Sequence, residues 1–357
     1  MAKGSRGHDT QERPGQAGLI LNGPVRTSLN TPHSTSATPR GDARAEPAGS
    51  IPLLLAIAGP TAAGKSAVAM ALAERIGGEI VSVDSMQVYR GLDIGTSKPS
   101  IDEQRRIRHH LIDVVDLVEP FDAAEFARRA REAISEIQRR GRTPILCGGT
   151  GLYFKACLEG IGEAPPANAT LRAELEATPL PELLRELEQR DPATLVRIDR
   201  KNRRRVVRSL EVVRLTGKPW SALRSAWNPK TGSDSRPWFF GLKRSPDEMR
   251  VRIDERIEAM FAAGLVEEVR TLLRHGLEQN RTAMQAIGYR QVVEHLRGER
   301  PLTDTIVSVK KRTRQYAKRQ MTWFRRQFDL DWISISRADT TASISEQLLA
   351  RCHNPAL

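Results

Sequence analysis

The chain has 357 residues, of which 39% are hydrophobic and 28% charged, a composition typical of a soluble globular protein with one or two domains. No apolar run approaches the roughly 20 residues of a membrane span. The three cysteines have no C-x-x-C spacing, which argues against a disulfide framework and indicates a reducing cytoplasm. The formal net charge of +13 favours a nucleic acid partner over a small metabolite alone.

Residues 1–50 precede the first predicted element. They are rich in Gly, Pro, Ser, Thr and Ala and carry six basic and four acidic residues, so +2 of the net charge lies here. A segment without apolar periodicity cannot bury enough surface to fold. We therefore predict a disordered N-terminal extension.

The first predicted strand, Ile51–Ala58, leads into a phosphate-binding loop and then into a helix over Ala67–Ile76. The loop matches the pattern G-x-x-x-x-G-K-[ST] at every position: Gly59, Pro60, Thr61, Ala62, Ala63, Gly64, Lys65 and Ser66. Backbone N–H groups and the helix N-terminus of such a loop cradle phosphates. Lys65 is then expected to reach the distal phosphate and the Ser66 hydroxyl to bind Mg²⁺. The loop thus predicts a substrate that carries a di- or triphosphate.

Further strands are predicted at Glu79–Val83 and Pro144–Cys147, with an amphipathic helix over Ala123–Arg140 between them. The alternation predicts an α/β fold with a P-loop NTPase-like parallel sheet and helices on both faces. Ligands of such sheets gather at the carboxyl ends of the strands. The phosphate loop, Asp84-Ser85 and Gly148-Gly149-Thr150 all follow strands, so we expect them at one edge.

A composition shift near residue 160 predicts a second, mainly helical part of the chain. Helical patterns run over about 171–224, a loop over 227–237, a returning strand over Trp238–Leu242 and mainly helix over 246–335. We divide the chain accordingly into the following parts: the extension 1–50, the first part of the core 51–165, a helical insertion 166–236, the second part of the core 237–336 and a C-terminal tail 337–357.

Two segments concentrate the basic residues. Arg197–Arg214 holds eight Lys or Arg and two acidic residues, with Val206, Val207, Leu210 and Val213 on the opposite helical face. Thr305–Phe328 holds eight Lys or Arg, no acidic residue, and interleaved aromatics. This pattern suits contact with phosphates and unpaired bases. The alternative is a solvated basic face above a buried aromatic stripe, and Trp323 and Phe324 fit that core role better.

Two polar residues at strand ends are candidates for chemistry. Asp84 could act as a general base, hold magnesium, or only cap the turn that follows it. Thr150 could hydrogen-bond a substrate, act as the N-cap of the next helix, or do both. Both residues are predicted to lie beside the phosphate loop.

The order of motifs resembles the tRNA dimethylallyltransferases over about residues 52–335. The resemblance is carried by these segments: Gly59–Ser66, Asp84–Tyr89, Gly91–Pro99, His109–Asp113, Gly148–Lys155, Ser209–Lys218, Ala286–Gln291 and Thr313–Phe324. It implies prenyl transfer from dimethylallyl diphosphate to N6 of the adenosine at tRNA position 37, beside the anticodon, with Mg²⁺ as cofactor. It further implies a target adenine that leaves its stack and enters a channel.

The resemblance also implies roles for individual residues. Asp84, Thr150 and Arg252 would be catalytic, with Arg252 gripping the diphosphate and Arg256 a competitor for that role. The residues implied to contact the anticodon stem-loop are Asp84, Ser85, Met86, Gln87, Thr150, Arg172, Arg204, Arg205, Val206, Val207, Arg208, Met284, Gln285, Ala286, Ile287, Gly288, Tyr289 and Arg290. A monomer in the cytoplasm, without membrane contact, is expected.

Two other functions are compatible with the phosphate loop. One is a kinase that uses ATP on a small metabolite or nucleic acid, and the other is a non-catalytic nucleic-acid-binding protein. The second fits worse because Asp84, Thr150 and the loop converge on one predicted edge. A small-molecule kinase has no use for two clusters of eight basic residues, so we expect the prenyl transfer.

Overall fold

The computed structural model describes residues 54–160, 165–225 and 237–353. Residues 1–50 lie outside the described residues, as do Ile51–Leu53 of the first predicted strand. The same holds for residues 226–236, which include all but the last residue of the loop predicted over 227–237. The described chain begins with strand β1 of a six-stranded sheet. Its strands are β1 Leu55–Ala58, β2 Glu79–Val83, β3 His109–His110, β4 Pro144–Gly148, β5 Trp238–Lys243 and β6 Asp331–Ser334.

Fourteen α-helices lie within the described ranges. Those of the first core segment are α1 Lys65–Ile76, α2 Ile101–Arg106, α3 Ala123–Arg139 and α4 Gly151–Leu158. Those of the insertion are α5 Ala169–Ala177, α6 Leu180–Arg190, α7 Pro192–Arg197, α8 Arg203–Thr216 and α9 Trp220–Ser225. The remainder are α10 Pro246–Ala262, α11 Leu265–Arg274, α12 Tyr289–Leu296, α13 Leu302–Gln327 and α14 Thr341–His353.

The predicted parallel sheet is confirmed. The strand order is β3-β2-β4-β1-β5-β6, and every neighbouring pair is parallel. β1 lies inside the sheet between β4 and β5, and all four of its residues are buried. Its alternate side chains enter two different hydrophobic clusters, Ala56 and Ala58 on one face, Leu55 and Ile57 on the other. The period of two in an extended strand explains this division.

The insertion has a hydrophobic cluster of its own. Leucines of α5, α6 and α7 pack on the apolar side of α8, and the buried members are Leu175, Leu183, Leu187, Leu195, Val206, Val207 and Leu210. Asn202 begins α8 by accepting a hydrogen bond from the Arg205 backbone, and Gly217 ends it with a left-handed φ of 67°. Such a helix folds because its apolar stripe meets three neighbours at once.

Two elements near the C-terminus were not predicted from the sequence. β6 extends the sheet beside β5, and Ile333 is its one buried residue. Within the part we had predicted as a tail, α14 packs on α1 and buries Ile344 and Leu348. The pattern of β6 is too short to show a period, and the apolar residues of α14 are few. The packed part of the chain therefore extends to at least His353.

Candidate active site and RNA-sized cleft

The phosphate loop connects β1 to the N-terminus of α1. Gly59 is needed where the loop leaves the sheet, because a Cβ there would stand 2.6 Å from the Leu242 carbonyl oxygen of β5. The N-cap position of α1 is Gly64, and no side chain caps the helix. The backbone N–H groups of the first turn are therefore left for a ligand, and the helix dipole favours an anion there.

Two arginines from the segment after the insertion bond to the backbone of the loop. Arg252 Nε donates to the Ala62 carbonyl at 2.9 Å, and Arg244 Nε donates to the Ala63 carbonyl at 3.0 Å. Ala62 has a φ of 63°, a region that few residues other than glycine adopt. These bonds fix two consecutive carbonyls of the loop.

A cavity of about 270 Å³ opens at the loop. It is lined by Ala62, Gly64, Lys65, Ser66, Ala67, Arg252 and Arg256. Its three cationic side chains and a free helix N-terminus form a site for a multiply charged anion such as a diphosphate. Arg252 and Arg256 both line the cavity, so both guanidinium groups are placed to bind the diphosphate.

Lys65 is a buried cation of this cavity. Burial is the largest cause and lowers the pKa of its ammonium to about 8, with Arg256 acting in the same direction. The Asp84 carboxylate opposes the shift, which shows that it lies within electrostatic reach of Lys65. Lys65 Nζ donates to the Pro60 carbonyl at 2.8 Å. The charged form of Lys65 is therefore stabilised when an anion binds in the cavity.

Asp84 follows β2 and faces the same region. Its Oδ1 accepts hydrogen bonds from the backbone of Met86 at 2.8 Å and of Gln87 at 3.4 Å, so the turn-capping role is real. No described residue bonds Oδ2. Asp84 also raises the pKa of Arg256, which burial lowers. One carboxylate oxygen therefore fixes the side chain and the other remains for chemistry.

Thr150 lies at the end of β4, opposite Asp84-Ser85. It occupies the N-cap position of α4, yet its side chain makes no cap hydrogen bond. Its Oγ1 instead accepts from the Ser85 backbone at 3.1 Å and lies 3.5 Å from Ser85 Oγ. The predicted convergence of the three strand ends on one edge is confirmed.

Gln320 joins these strand ends to the long helix α13. Its Oε1 accepts from the Thr61 backbone and its Nε2 donates to the Gly149 carbonyl, both at 2.9 Å. One turn later Trp323 lies so close that a Cβ on Gly151 would stand 2.0 Å from its ring. Both contacts lock α13 onto the edge. Nothing in the sequence marks a buried mid-helix glutamine as a clamp between two loops.

A second and larger cavity, about 1240 Å³, lies between the insertion and α13; we call it the basic cleft. Eight of its lining side chains are cationic, and none of the described residues lining it is acidic: Lys155, Arg197, Arg204, Arg205, Arg208, Lys318, Arg319 and Arg326. Its size and charge fit a nucleic acid strand. The predicted basic segments thus face each other across one cleft.

Most cleft cations have no carboxylate partner within the described part of the chain. They are Arg197, Arg204, Arg205, Lys318, Arg319 and Arg326. Arg204 bonds the neutral Gln285 side chain. Arginines elsewhere on the surface are commonly paired, as in Arg128 with Glu125 and Glu132. Unpaired like charges on facing walls repel one another, and a polyanion relieves that repulsion.

Arg208 and Arg172 differ from the other predicted RNA-binding arginines. Glu211 is fully buried, and its Oε2 accepts from Arg172 at 2.6 Å and from Arg208 at 2.7 Å. Arg208 still lines the basic cleft, whereas Arg172 does not. The main task of Arg172 in this structure is to neutralise Glu211.

The structure buries the side chains of several residues for which the resemblance implied RNA contact. Val206 and Val207 are buried in the insertion's own cluster. Tyr289 is fully buried and donates to Glu268 Oε1 at 2.6 Å, so its ring packs inside the fold. Ala286 is buried as well. Each of these side chains packs inside the protein.

The other residues with implied RNA contacts differ in their exposure and in their hydrogen bonds. Gln87 accepts from Ser82 Oγ at 2.8 Å and donates to the carbonyls of Thr96 and Ser97 at 3.2 Å, so its amide is satisfied internally. The remaining set divides by exposure: Ser85, Met86, Met284 and Ile287 are half-buried, Gln285 and Arg290 are exposed, and Gly288 is buried. None of these residues lines the basic cleft as described.

Among the described helices, none combines the length and apolarity that crossing a bilayer requires. Within the same residues, no group of three or more His, Cys, Asp or Glu side chains is arranged to hold a metal ion.

The fold and site define a phosphate-loop enzyme with an anion cradle beside a nucleic-acid-sized cleft. A sequence profile described as IPP transferase matches residues 87–327. The tRNA dimethylallyltransferase of Geobacter metallireducens is 47% identical over 284 residues, 78% of this chain and 92% of that protein. The corresponding protein of Halorhodospira halophila is 48% identical over 285 residues, 77% of this chain and 91% of that protein.

Solved structures agree with these sequence relatives. The tRNA isopentenylpyrophosphate transferase of Bacillus halodurans superposes with a TM-score of 0.60 at 37% identity, covering 84% of this chain and 94% of that one. A eukaryotic dimethylallyltransferase acting on tRNA superposes with a TM-score of 0.71 at 29% identity, covering 82% and 77%. The chain belongs to the tRNA dimethylallyltransferase family.

Proposed function

We propose that this chain transfers the dimethylallyl group of dimethylallyl diphosphate to N6 of the adenosine at position 37 of tRNA. Family membership gives transfer of a dimethylallyl group to a tRNA adenosine. The observation that carries the assignment is that one helix, α13, both contacts the phosphate loop and lines the basic cleft. Gln320 touches the phosphate loop, and Trp323 and Arg326, three and six residues later, line the basic cleft.

The donor's diphosphate fits the cradle at the phosphate loop. In the reaction the C–O bond to the diphosphate breaks as the bond from N6 to carbon forms, so negative charge grows on the leaving group. Lys65, Arg252, Arg256 and the first backbone N–H groups of α1 are placed to stabilise that charge. The loop therefore retains a leaving group in this proposal and transfers no phosphoryl group.

The acceptor needs help because the lone pair of an adenine amine is delocalised into the ring. In our proposal the Asp84 carboxylate accepts the N6 proton during attack, and its anchored Oδ1 keeps Oδ2 in place. Thr150, held against Ser85 at the facing strand end, positions the base or the donor. Atoms balance: N6 gains the prenyl carbon and loses one proton, and diphosphate departs.

Magnesium fits this cradle together with the donor's phosphates. Mg²⁺ in enzymes is usually held by substrate phosphates, waters and one or two side chains. The Ser66 hydroxyl lines the cavity, and Asp84 is the nearby carboxylate. When bound, the ion would supply further charge neutralisation to the diphosphate.

The division of the chain supports this assignment of roles. We propose that 51–165 and 237–336 form the catalytic core, and that the insertion 166–236 contacts the anticodon stem-loop across the basic cleft. A separate hydrophobic cluster in the insertion supports its treatment as a unit. A monomer in the cytoplasm suffices, because one chain supplies both cavities and tRNA is found there.

The test is label transfer in vitro. Protein, Mg²⁺, unmodified tRNA and labelled dimethylallyl diphosphate should yield labelled tRNA, and nucleoside mass spectrometry should place the group on N6 of a single adenosine. The tRNA with position 37 replaced by guanosine is the control and should stay unlabelled. Label transfer from γ-labelled ATP instead, with none from the prenyl donor, would establish a kinase.

We expect donor affinity to weaken as the pH rises through about 8. Lys65 binds diphosphate best as an ammonium, and its pKa in the free protein is about 8, below its ordinary 10.5. Its protonated fraction is nearly complete at pH 7 and falls about tenfold per pH unit well above the pKa. Donor kcat/KM, measured from pH 6.5 to 9.5, should follow that decline. Lys65→Arg, which stays charged, should flatten the profile, and an identical decline in both proteins would contradict the assignment.

A further inference from the structure

Trp220 is an aromatic side chain that the fold does not use in its core. It begins α9 on the insertion side and lines the basic cleft. The insertion's hydrophobic cluster does not include it, and within the described ranges no aromatic ring or cation packs on its indole. The side chain is only half-buried. Exposing a large apolar side chain to water in a cleft is unfavourable, which indicates that a ligand covers the indole when it is bound.

The start of α9 is held by a buried carboxylate. Asp191 is 1% exposed, and its two oxygens accept from the backbone and hydroxyl of Ser221 at 2.9 and 2.7 Å. The same oxygens accept from the backbone and hydroxyl of Thr194 at 3.0 and 2.6 Å. Two of these hydrogen bonds hold Ser221, the residue next to Trp220, on Asp191, and the other two hold Asp191 on α7. The backbone that carries the indole is set before any ligand binds.

The neighbours of Trp220 in the cleft point to the chemistry of the ligand. Arg197 and Arg205 line the same insertion wall, and Lys318, Arg319 and Arg326 line the facing wall on α13. Trp323, also on α13, is held in T-shaped contacts with Phe324 and Phe328 at 5.7 Å between ring centroids. Sites for single-stranded nucleic acid commonly combine unpaired cations, which bind phosphates, with aromatic rings, on which bases stack.

We propose that Trp220 stacks on one unpaired base of the RNA loop bound in the basic cleft, a base other than the reacting adenosine. The reacting adenosine must reach Asp84 and Thr150 at the sheet edge, whereas Trp220 lies on the insertion wall. Trp220 is therefore a binding residue for the loop rather than a catalytic residue. The proposal rests on the proposed function, since it needs RNA in the cleft.

The first experiment compares Trp220→Ala, Trp220→Leu and Trp220→Phe with wild type in binding an anticodon stem-loop RNA. Loss of one base–aromatic stack should raise Kd about tenfold to a hundredfold in Trp220→Ala. Trp220→Phe should stay within about threefold of wild type, and Trp220→Leu, which keeps apolar volume without a ring, should resemble Trp220→Ala. The slope of log Kd against log salt should not change, because no phosphate contact is lost.

The second experiment identifies the base directly. Each loop nucleotide of the RNA is replaced in turn by an abasic one. At one position other than the reacting adenosine, the abasic replacement should lower the affinity of wild type for the RNA. The same replacement should not lower the affinity of Trp220→Ala, because that variant has already lost the stack. If every abasic position affects wild type and Trp220→Ala equally, the stacking proposal is wrong.

The controls separate this proposal from the function on which it rests. Val196→Ala removes an exposed apolar side chain of α7 outside the cleft lining and should bind RNA as wild type does. Donor KM should be unchanged in Trp220→Ala, since the donor cradle is built from other residues. If wild type binds the RNA and Trp220→Ala binds it equally tightly, the stacking proposal is wrong while the proposed function is unaffected. Wild type that neither binds nor prenylates the RNA would refute the proposed function.

Discussion

Asp84→Asn should lower kcat by about a hundredfold to ten-thousandfold, the usual contribution of a positioned general base. Asparagine keeps an oxygen that can accept from the Met86 backbone, so the turn after β2 is preserved. What is lost is the basic oxygen that would take the N6 proton. Single-turnover prenylation at saturating tRNA and donor measures this step without product release.

The same variant should bind tRNA within about threefold of wild type, because a base acts in the transition state and adds little to ground-state binding. Asp84→Glu is the informative companion, since it keeps the charge and displaces it by one methylene. An equal loss of tRNA affinity and turnover in Asp84→Asn would assign Asp84 to RNA binding instead. A loss that high Mg²⁺ restores would favour the alternative magnesium role.

Replacing Arg197, Arg204 and Arg205 together by alanine should weaken tRNA binding by about a hundredfold near 0.1 M salt. All three line the basic cleft and none has a carboxylate partner among the described residues. Each lost phosphate contact should reduce the slope of log K against log salt by just under one, so the triple variant should lose about two to three. Binding titrations at several salt concentrations measure both effects.

A charge-matched control decides whether position or net charge matters. Arg75, Arg105 and Arg270 are exposed, paired with acidic residues and outside the cleft. Their triple alanine variant loses the same three charges and should keep the wild-type slope. Equal slopes in the two triple variants would show that the cleft arginines are only solvated. Arg208 is left intact because its removal would leave the buried Glu211 with Arg172 as its one cation.

The donor half of the site could be predicted from sequence because its information is local. Eight consecutive residues define the phosphate loop, and two strand ends supply Asp84 and Thr150. Gln320 and Arg244 could not be found this way. Their loop partners lie 259 and 181 residues away, and a lone glutamine or arginine in a polar helix or strand end carries no periodic signal.

Val206 and Val207 show how two kinds of sequence argument can disagree. Helical periodicity placed them on the apolar face, and the structure buries them. The family resemblance implied RNA contact for the same positions, because a motif marks a segment and not the side that each residue faces. Tyr289 follows the same rule: the residue type suits stacking, but its hydroxyl is bonded to Glu268 inside the core. In each case the packing places the side chain inside the fold.

The unbroken helix α13 also fixes the distance between the phosphate loop and the basic cleft. From Gln320 at the donor cradle to Arg326 in the basic cleft the helix advances six residues, which is about 9 Å at 1.5 Å per residue. Under the proposed function, the reacting adenosine has to cover that span between the basic cleft and the phosphate loop. A loop nucleotide that leaves its stack can cover it, so the length of α13 between the two sites matches a substrate with an unpaired adenosine.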